Sequence, residues 1–371
     1  METFWQVNKA LASRVVRARN ANRRVRSELG GDGGRWRIVD TPGPEVVARA
    51  FDLGRTLTDL VLVRRGSTEA WRLDTDRGSY FVKGAWDGLG LQFTPGGVPD
   101  QLSAAMAFER RALEAGIAMP EPISPVDPWL DSVARINDRL FRVYRWIDHR
   151  PLRPDDDLTD WIGRTMARIH QLEPMVGVGL PDWWRGPVWP RTYWEEWIDE
   201  AQHLDRPWSS LARERLAGVL DLSNRIAELC EVAPDPVTTH GDFKTHNLLM
   251  TPTGPVLIDW DSVRIDSAAL EAGRVAHIFA AGDPAQLTRI LTAYTAAGGD
   301  ISWPGPDLFI SVLRHDLQVL YDRVLVSLNR NPPTWWMGDN HAIESSIEQL
   351  LNQLPIRVDE LRRLALSINS G

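Results

Sequence analysis

The spacing of apolar residues changes period once along this chain, near Pro151, and that change limits the fold more than any single motif does. Before it, short runs rich in β-branched and aromatic residues recur at 60–64, 70–73 and 80–82. Gly66-Ser67-Thr68 and Thr75-Asp76-Arg77-Gly78 separate them with turn chemistry, so the stretch predicts an antiparallel meander. A Gly/Pro-rich loop over 84–100 leads into a helix predicted at 101–115, with Ala105, Phe108, Ala112 and Leu113 on one face. Pro120 and Pro122 bring it to an end, and 141–147 reads as another strand. After Pro151 the period is helical almost throughout, at 158–172, 192–204, 211–229, 268–281, 284–297, 307–328 and 342–350. The expected architecture is α+β and bilobal: a small antiparallel-sheet lobe, a connector and a large, mainly helical lobe.

A length of 371 residues exceeds what most single cores hold, which also favours two lobes with a cleft between them. The expected boundaries are a basic helical extension with its Gly30-Gly31-Asp32-Gly33-Gly34 link at 1–40, a first lobe at 41–148 and a second at 149–371. Arg23, Arg24 and Arg26 in the extension read as a solvated arm, since a net charge of -8 argues against nucleic acid as the partner. Cys230 is the only cysteine, so no intramolecular disulfide and no cysteine-based zinc site is expected. No run of about 18 apolar residues and no leader pattern occurs, so the expected setting is cytoplasmic, without membrane insertion.

Charge is divided unevenly. Residues 1–150 carry 23 Lys+Arg against 19 Asp+Glu, and residues 151–371 carry 19 against 31. A basic part beside an acidic one suits an anionic cosubstrate and a cationic acceptor, and equally suits two solvated surfaces of different composition. Only three lysines occur, Lys9, Lys83 and Lys244, against 39 arginines. Where such a chain keeps a lysine, a compact and flexible point charge is the distinguishing property.

The densest polar cluster is His240-Gly241-Asp242-Phe243-Lys244-Thr245-His246-Asn247, followed by Leu248-Leu249-Met250. Asp259 comes twelve residues after Asn247, behind a Pro252-Thr253-Gly254 turn and a second apolar run, so a hairpin would draw Asn247 and Asp259 together. Mg²⁺ takes oxygen ligands, commonly one or two carboxylates completed by phosphates and water, and Asn247 and Asp259 can supply the protein's share. Phosphoryl transfer further needs a carboxylate to receive or orient the acceptor hydroxyl beside that metal, and Asp242 has this place.

These residues resemble the aminoglycoside-phosphotransferase and choline-kinase-like family, whose loop reads His-Gly-Asp, four residues, then Asn, and whose metal aspartate lies in Ile-Asp-Trp or Ile-Asp-Phe. His240, Gly241, Asp242, Asn247, Ile258, Asp259 and Trp260 match in type and spacing. The resemblance implies a protein-kinase-like fold and an ATP- and Mg²⁺-dependent small-molecule kinase, with Asp242 catalytic and Asn247 and Asp259 on the metal. It implies that Lys83, ending Ser79-Tyr80-Phe81-Val82-Lys83, binds the ATP phosphates and is paired with Glu109 of the next helix, with Glu114 as the fallback. Ser67 and Thr68 fall where the phosphate loop is expected, without the glycine-rich signature of protein kinases. Arg145, Trp146 and Ile147 fall at the connector whose backbone would meet adenine. His170 matches a helix-ending structural histidine, and Glu271 stands where the family places an aspartate that anchors the second lobe.

The acceptor is expected to be a small-molecule hydroxyl compound. Seventeen tryptophans, among them Trp183, Trp184, Trp189, Trp194, Trp197, Trp208, Trp335 and Trp336, and the acidic balance of the second lobe favour an amine-bearing sugar or an aminoglycoside-like natural product, while the acidic side of 192–204 itself reads as a solvated face. A sugar or a choline-like metabolite is the next choice. A nucleotide-binding protein without transferase activity is the reading from another class.

Overall fold

In the computed structural model, residues 42–65, 69–86, 98–137, 139–153, 155–172, 189–334 and 337–369 are described. The expected phosphate-loop residues Ser67 and Thr68 lie outside them, as do Trp183, Trp184, Trp335, Trp336 and the 1–40 extension.

The first lobe opens with a helix absent from the sequence reading, α1 (Pro44–Ala50), although Pro44 in its first turn, followed by Glu45, is a helix-start signal. The meander follows as β1 (Val61–Arg65), β2 (Glu69–Thr75) and β3 (Gly78–Trp86). Helix α2 (Val98–Glu114) leads to β4 (Pro122–Ile123), β5 (Ala134–Ile136) and β6 (Arg139–Arg145). The antiparallel sheet runs β1-β2-β3-β6-β4, with β5 also on β6. Tyr80 and Val82 of β3 join Trp71, Leu73, Phe141, Val143, the α1 residue Val47 and Phe51 just after it in one buried cluster. Strand alternation then turns Phe81 and Lys83 to the opposite face. Lys83 lies directly across from Arg142 of β6, so the two side chains share that face.

The second lobe is helical around two short antiparallel strand pairs, one of them a hairpin. Its elements are α3 (Thr159–His170), α4 (Arg191–His203), α5 (Ser209–Val232), β7 (Pro236–Thr239), β8 (Leu248–Thr251), β9 (Gly254–Leu257) and β10 (Arg264–Ser267). Helices α6 (Ala268–Ala280), α7 (Pro284–Ala296), α8 (Ile310–Ser327) and α9 (Asn340–Asn369) complete it. Helices α3 and α7 meet closely at Gly163, where a Cβ would stand 2.5 Å from the Ile290 carbonyl oxygen. Helix α9 runs well past the expected end at residue 350 and carries Pro355 in its interior. A proline there removes one backbone hydrogen bond, but Ile343, Ile347, Leu351, Leu354, Leu361 and Ala365, with the partly buried Val358 between, keep one apolar stripe against the core, and packing prevails over the break.

The tryptophans divide between core and rim. Trp194, Trp197 and Trp208 are buried, while Trp189 stacks on Tyr321 at 4.6 Å between ring centroids. On the acidic face of α4, Glu195 pairs with Arg191 of the same helix, while Arg330 holds Glu196 and Glu200 at 2.6 Å each and Arg213 pairs with Asp199. Among the described residues, no helix is long and apolar enough to cross a membrane.

Candidate active site

Strand β7 delivers the 240–247 loop to the floor of the cleft. Gly241 sits at φ +78°, and a Cβ there would lie 1.9 Å from the Ser262 carbonyl oxygen, so only glycine lets the loop pass the 260–262 turn. Its N–H donates to Glu271 Oε1 at 3.2 Å, and Arg274 Nη2 donates to its carbonyl at 3.4 Å. Glu271 is itself held by Arg274 at 3.1 Å and by His170 Nε2 at 2.8 Å, and His170 Nδ1 meets the Tyr294 hydroxyl at 2.9 Å. Burial works against its charge, but the His170 hydrogen bond and the Arg274 and Arg264 charges win and hold the Glu271 carboxyl down to about 2. Glu271 therefore anchors the loop from beneath at Gly241, and His170 is part of that contact.

His240 is fully buried and ties the loop to the strand that ends in Asp259. Its Nδ1 accepts the Asp242 N–H at 3.3 Å, which leaves Nε2–H to donate to the Ile258 carbonyl at 3.1 Å. Burial pulls this histidine down to about 4, so the ring is neutral and held in one tautomer. The Trp260 ring closes its flank at 4.7 Å.

Hairpin β8–β9 pairs Leu248 with Leu257, and Ile258 N–H donates to the Asn247 carbonyl at 2.9 Å, which brings Asn247 beside Asp259. Asn247 Nδ2 donates to the Asp242 carbonyl at 2.8 Å and to Asp242 Oδ2 at 2.9 Å. With the amide nitrogen spent, Asn247 Oδ1 is the atom left for a cation. Lys244 Nζ also holds Asp242 Oδ2, at 2.8 Å. Asp259 lies in the left-handed region at φ 69°, ψ 59°, and its carboxylate is partly exposed to the cleft. An amide oxygen and a carboxylate, both hard donors, fit a Mg²⁺ ion whose remaining ligands come from phosphate and water.

Lys83 reaches this floor from the first lobe. It hydrogen-bonds Asp259 Oδ1 and approaches Asp261 Oδ2 at 2.6 Å. Burial opposes its charge, but Asp261 and Asp259 outweigh burial and hold the lysine above its ordinary value. The expected pairing with Glu109 is corrected here: Glu109 instead takes Arg142 Nη2 and the Tyr144 hydroxyl, the latter at 3.0 Å. Arg142 also bonds Asp261 through Nη1. The geometric reason is register: Arg142, directly across from Lys83, takes both carboxylates. Neither Arg142 nor Asp261 was singled out from sequence; the one available signal was the second acid of Asp259-Trp260-Asp261.

Arg145 ends β6, and Trp146 and Ile147 follow as the connector. Trp146 N–H donates to Ser79 O at 2.9 Å and the Ile147 carbonyl meets His149 Nδ1 at 2.8 Å, so a base bound here would use other backbone groups. Beyond the connector, Asp148, His149 and Arg150 face Met250, Thr251 and Pro252 across a cleft of about 430 Å³. His315 of α8 is pulled down by burial and by the Arg274 and Lys244 charges, opposed by Asp316 and Asp242.

Residues 42–308 match the model of the phosphotransferase enzyme family. Among solved structures the chain is similar to an amicoumacin kinase in complex with AMP-PNP, Ca²⁺ and its ligand, at 12% identity and a TM-score of 0.61, covering 84% of this chain and 92% of that one. A spectinomycin phosphotransferase in complex with ADP and spectinomycin aligns at 13% identity and a TM-score of 0.57 over 86% and 99% of the two chains. A choline/ethanolamine kinase family protein from Mesorhizobium loti aligns at 17% identity and a TM-score of 0.53 over 88% and 98%. These likenesses establish a shared bilobal fold. No curated protein sequence matches the chain.

Proposed function

The chain belongs to the phosphotransferase enzyme family, and from that premise we propose that it transfers the γ-phosphoryl group of ATP, with Mg²⁺, to a hydroxyl of a small amine-bearing molecule. One observation carries this reading: Asp242, Asn247, Asp259 and Lys83, scattered over the two lobes, converge on one cleft through direct hydrogen bonds.

Each residue has a role that its contacts support. Asp242 receives the acceptor hydroxyl's proton as that oxygen bonds to the γ-phosphorus and the bond to the β-phosphate bridging oxygen breaks, releasing ADP. Its two clamps, Asn247 and Lys244, hold the carboxylate in one orientation, as positional catalysis requires. Asn247 Oδ1 and Asp259 would hold Mg²⁺, which when bound offsets the charge of the phosphates. Lys83 approaches the same phosphates from β3. Neutral His240 does not exchange protons; it keeps Asp242 and Ile258 at a fixed separation.

The acidic balance of the second lobe supports an amine on the acceptor, although Glu195, Glu196, Asp199 and Glu200 of α4 are already paired with Arg191, Arg330 and Arg213. Similar folds that phosphorylate amicoumacin and spectinomycin support a natural-product acceptor. The test is a screen of aminoglycosides, amino sugars, choline and neutral sugars with ATP and Mg²⁺, read by ADP release and product mass. Transfer to neutral sugars alone would remove the amine from this reading, and no transfer to any acceptor would remove the whole of it.

A further inference from the structure

Lys83 and Arg142 stand side by side on β3 and β6, and both reach one carboxylate of the other lobe. Asp261 takes Lys83 on Oδ2 and Arg142 on Oδ1. The second arm of the Arg142 guanidinium goes to Glu109, whose other oxygen takes the Tyr144 hydroxyl. Arg142 and Glu109 are buried, at 6% and 1% exposure, so their charges depend on one another and on Asp261 and Tyr144. The result is a line of five groups, Lys83, Asp261, Arg142, Glu109 and Tyr144, that crosses from one lobe to the other.

We propose that Asp261 is the carboxylate that positions Lys83 for the nucleotide phosphates, and that Arg142 is the residue that fixes Asp261, so that Glu109 acts on Lys83 only through Arg142. This rests on the nucleotide reading of the preceding section. Lys83 holds two carboxylates, and Asp259 is the one placed for a cation. Giving up Asp259 still leaves Lys83 anchored by Asp261. Arginine suits the bridging position because its planar fork presents separate nitrogens to Asp261 and Glu109 at once, whereas a lysine is a single point charge. Because Glu109 and Arg142 lie in the first lobe and Asp261 in the second, the line also ties the lysine's position to the second lobe.

The test uses the full chain with Asp261→Asn, Arg142→Met, Arg142→Lys, Glu109→Gln and the Glu109→Gln/Arg142→Met double variant. Nucleotide affinity is measured with AMP-PNP and Mg²⁺ by calorimetry, and KM and kcat with the best acceptor of the screen. Asp261→Asn and Arg142→Met are expected to weaken AMP-PNP binding on the order of tenfold to a hundredfold, the worth of a charge-assisted hydrogen bond, with the acceptor KM unchanged. Glu109→Gln is expected to weaken it in the native background and to add nothing once Arg142 is methionine. Selective ¹⁵N labelling reads the lysine directly, since only three lysines occur: in unliganded protein the Lys83 Nζ resonance should move in Asp261→Asn and Arg142→Met. Full additivity of Glu109→Gln with Arg142→Met, or a Lys83 resonance indifferent to Asp261→Asn, overturns the proposal. Should Arg142→Met fail to fold, Arg142→Lys replaces it, and native AMP-PNP affinity in that variant is the overturning result. An unaltered chain that binds no nucleotide brings down the kinase reading and this inference together; binding that ignores Asp261 and Arg142 overturns this inference alone.

Discussion

Replacing Glu271 by glutamine tests whether the 240–247 loop is held from beneath. Its carboxylate is 1% exposed and receives the Gly241 N–H, Arg274 and His170, so the isosteric amide keeps the volume and loses the charge. The folded carboxyl lies at about 2 against an ordinary 4.5. At about 1.4 kcal/mol per unit that difference is worth about 3 kcal/mol, in line with the cost of breaking one member of a buried ion pair. Since folding depresses this group, its contribution is fully present above about pH 4.5 and is lost as pH falls through about 2. Chemical unfolding of the native chain and of Glu271→Gln, compared from pH 7 to pH 3, should therefore show a gap of about 3 kcal/mol at neutral pH that narrows steadily below pH 4.5. Turnover should drop about tenfold or more through displacement of Gly241, with nucleotide affinity kept, as for a positioning contact. A stability gap that stays constant down to pH 3, or a variant as stable and active as the native chain, would refute the reasoning.

Further outcomes follow from other contacts. Asp242→Asn should lower kcat by about a hundredfold or more with AMP-PNP affinity unchanged, checked by steady-state kinetics and calorimetry. Gly241→Ala should abolish turnover and lower the melting temperature, because the left-handed backbone and the 1.9 Å approach to Ser262 both reject a Cβ. Gly163→Ala should cost stability without a comparable loss of nucleotide binding, since the clash with Ile290 lies at the α3–α7 crossing; equal melting temperatures would count against that crossing.

What the sequence made legible was what lies close along the chain. Asp242, Asn247 and Asp259 fall within eighteen residues and one hairpin, so turn chemistry and ligand chemistry sufficed to group them. Lys83 was found by its strand and by the rarity of lysine, but its partners were not, because they depend on the β3–β6 register and on two lobes meeting across a long sequence separation. Arg142, one arginine among 39, carried no local signal. The acidic side of α4 reads as a solvated face, yet Arg330 and Arg213, which meet its Glu196, Glu200 and Asp199, come from other elements that no local pattern announces. Pro355 shows the same limit for secondary structure, since a local stop signal gave way to a stripe whose partner surfaces are distant.

The left-handed backbone of Asp259 bears on how this position is to be probed. Asparagine and aspartate tolerate such a conformation better than other residues with a side chain, whereas alanine incurs about 1–2 kcal/mol there. Alanine scanning at Asp259 would thus mix two losses, the carboxylate and the turn that leads into Trp260 and Asp261, and would overstate the metal's share of any defect. Substitution by asparagine keeps the turn and a side-chain oxygen while removing the charge, and glycine keeps the turn with no side chain at all, so the difference between Asp259→Ala and Asp259→Gly measures how much the backbone at this one residue contributes to holding Asp261 in reach of Lys83.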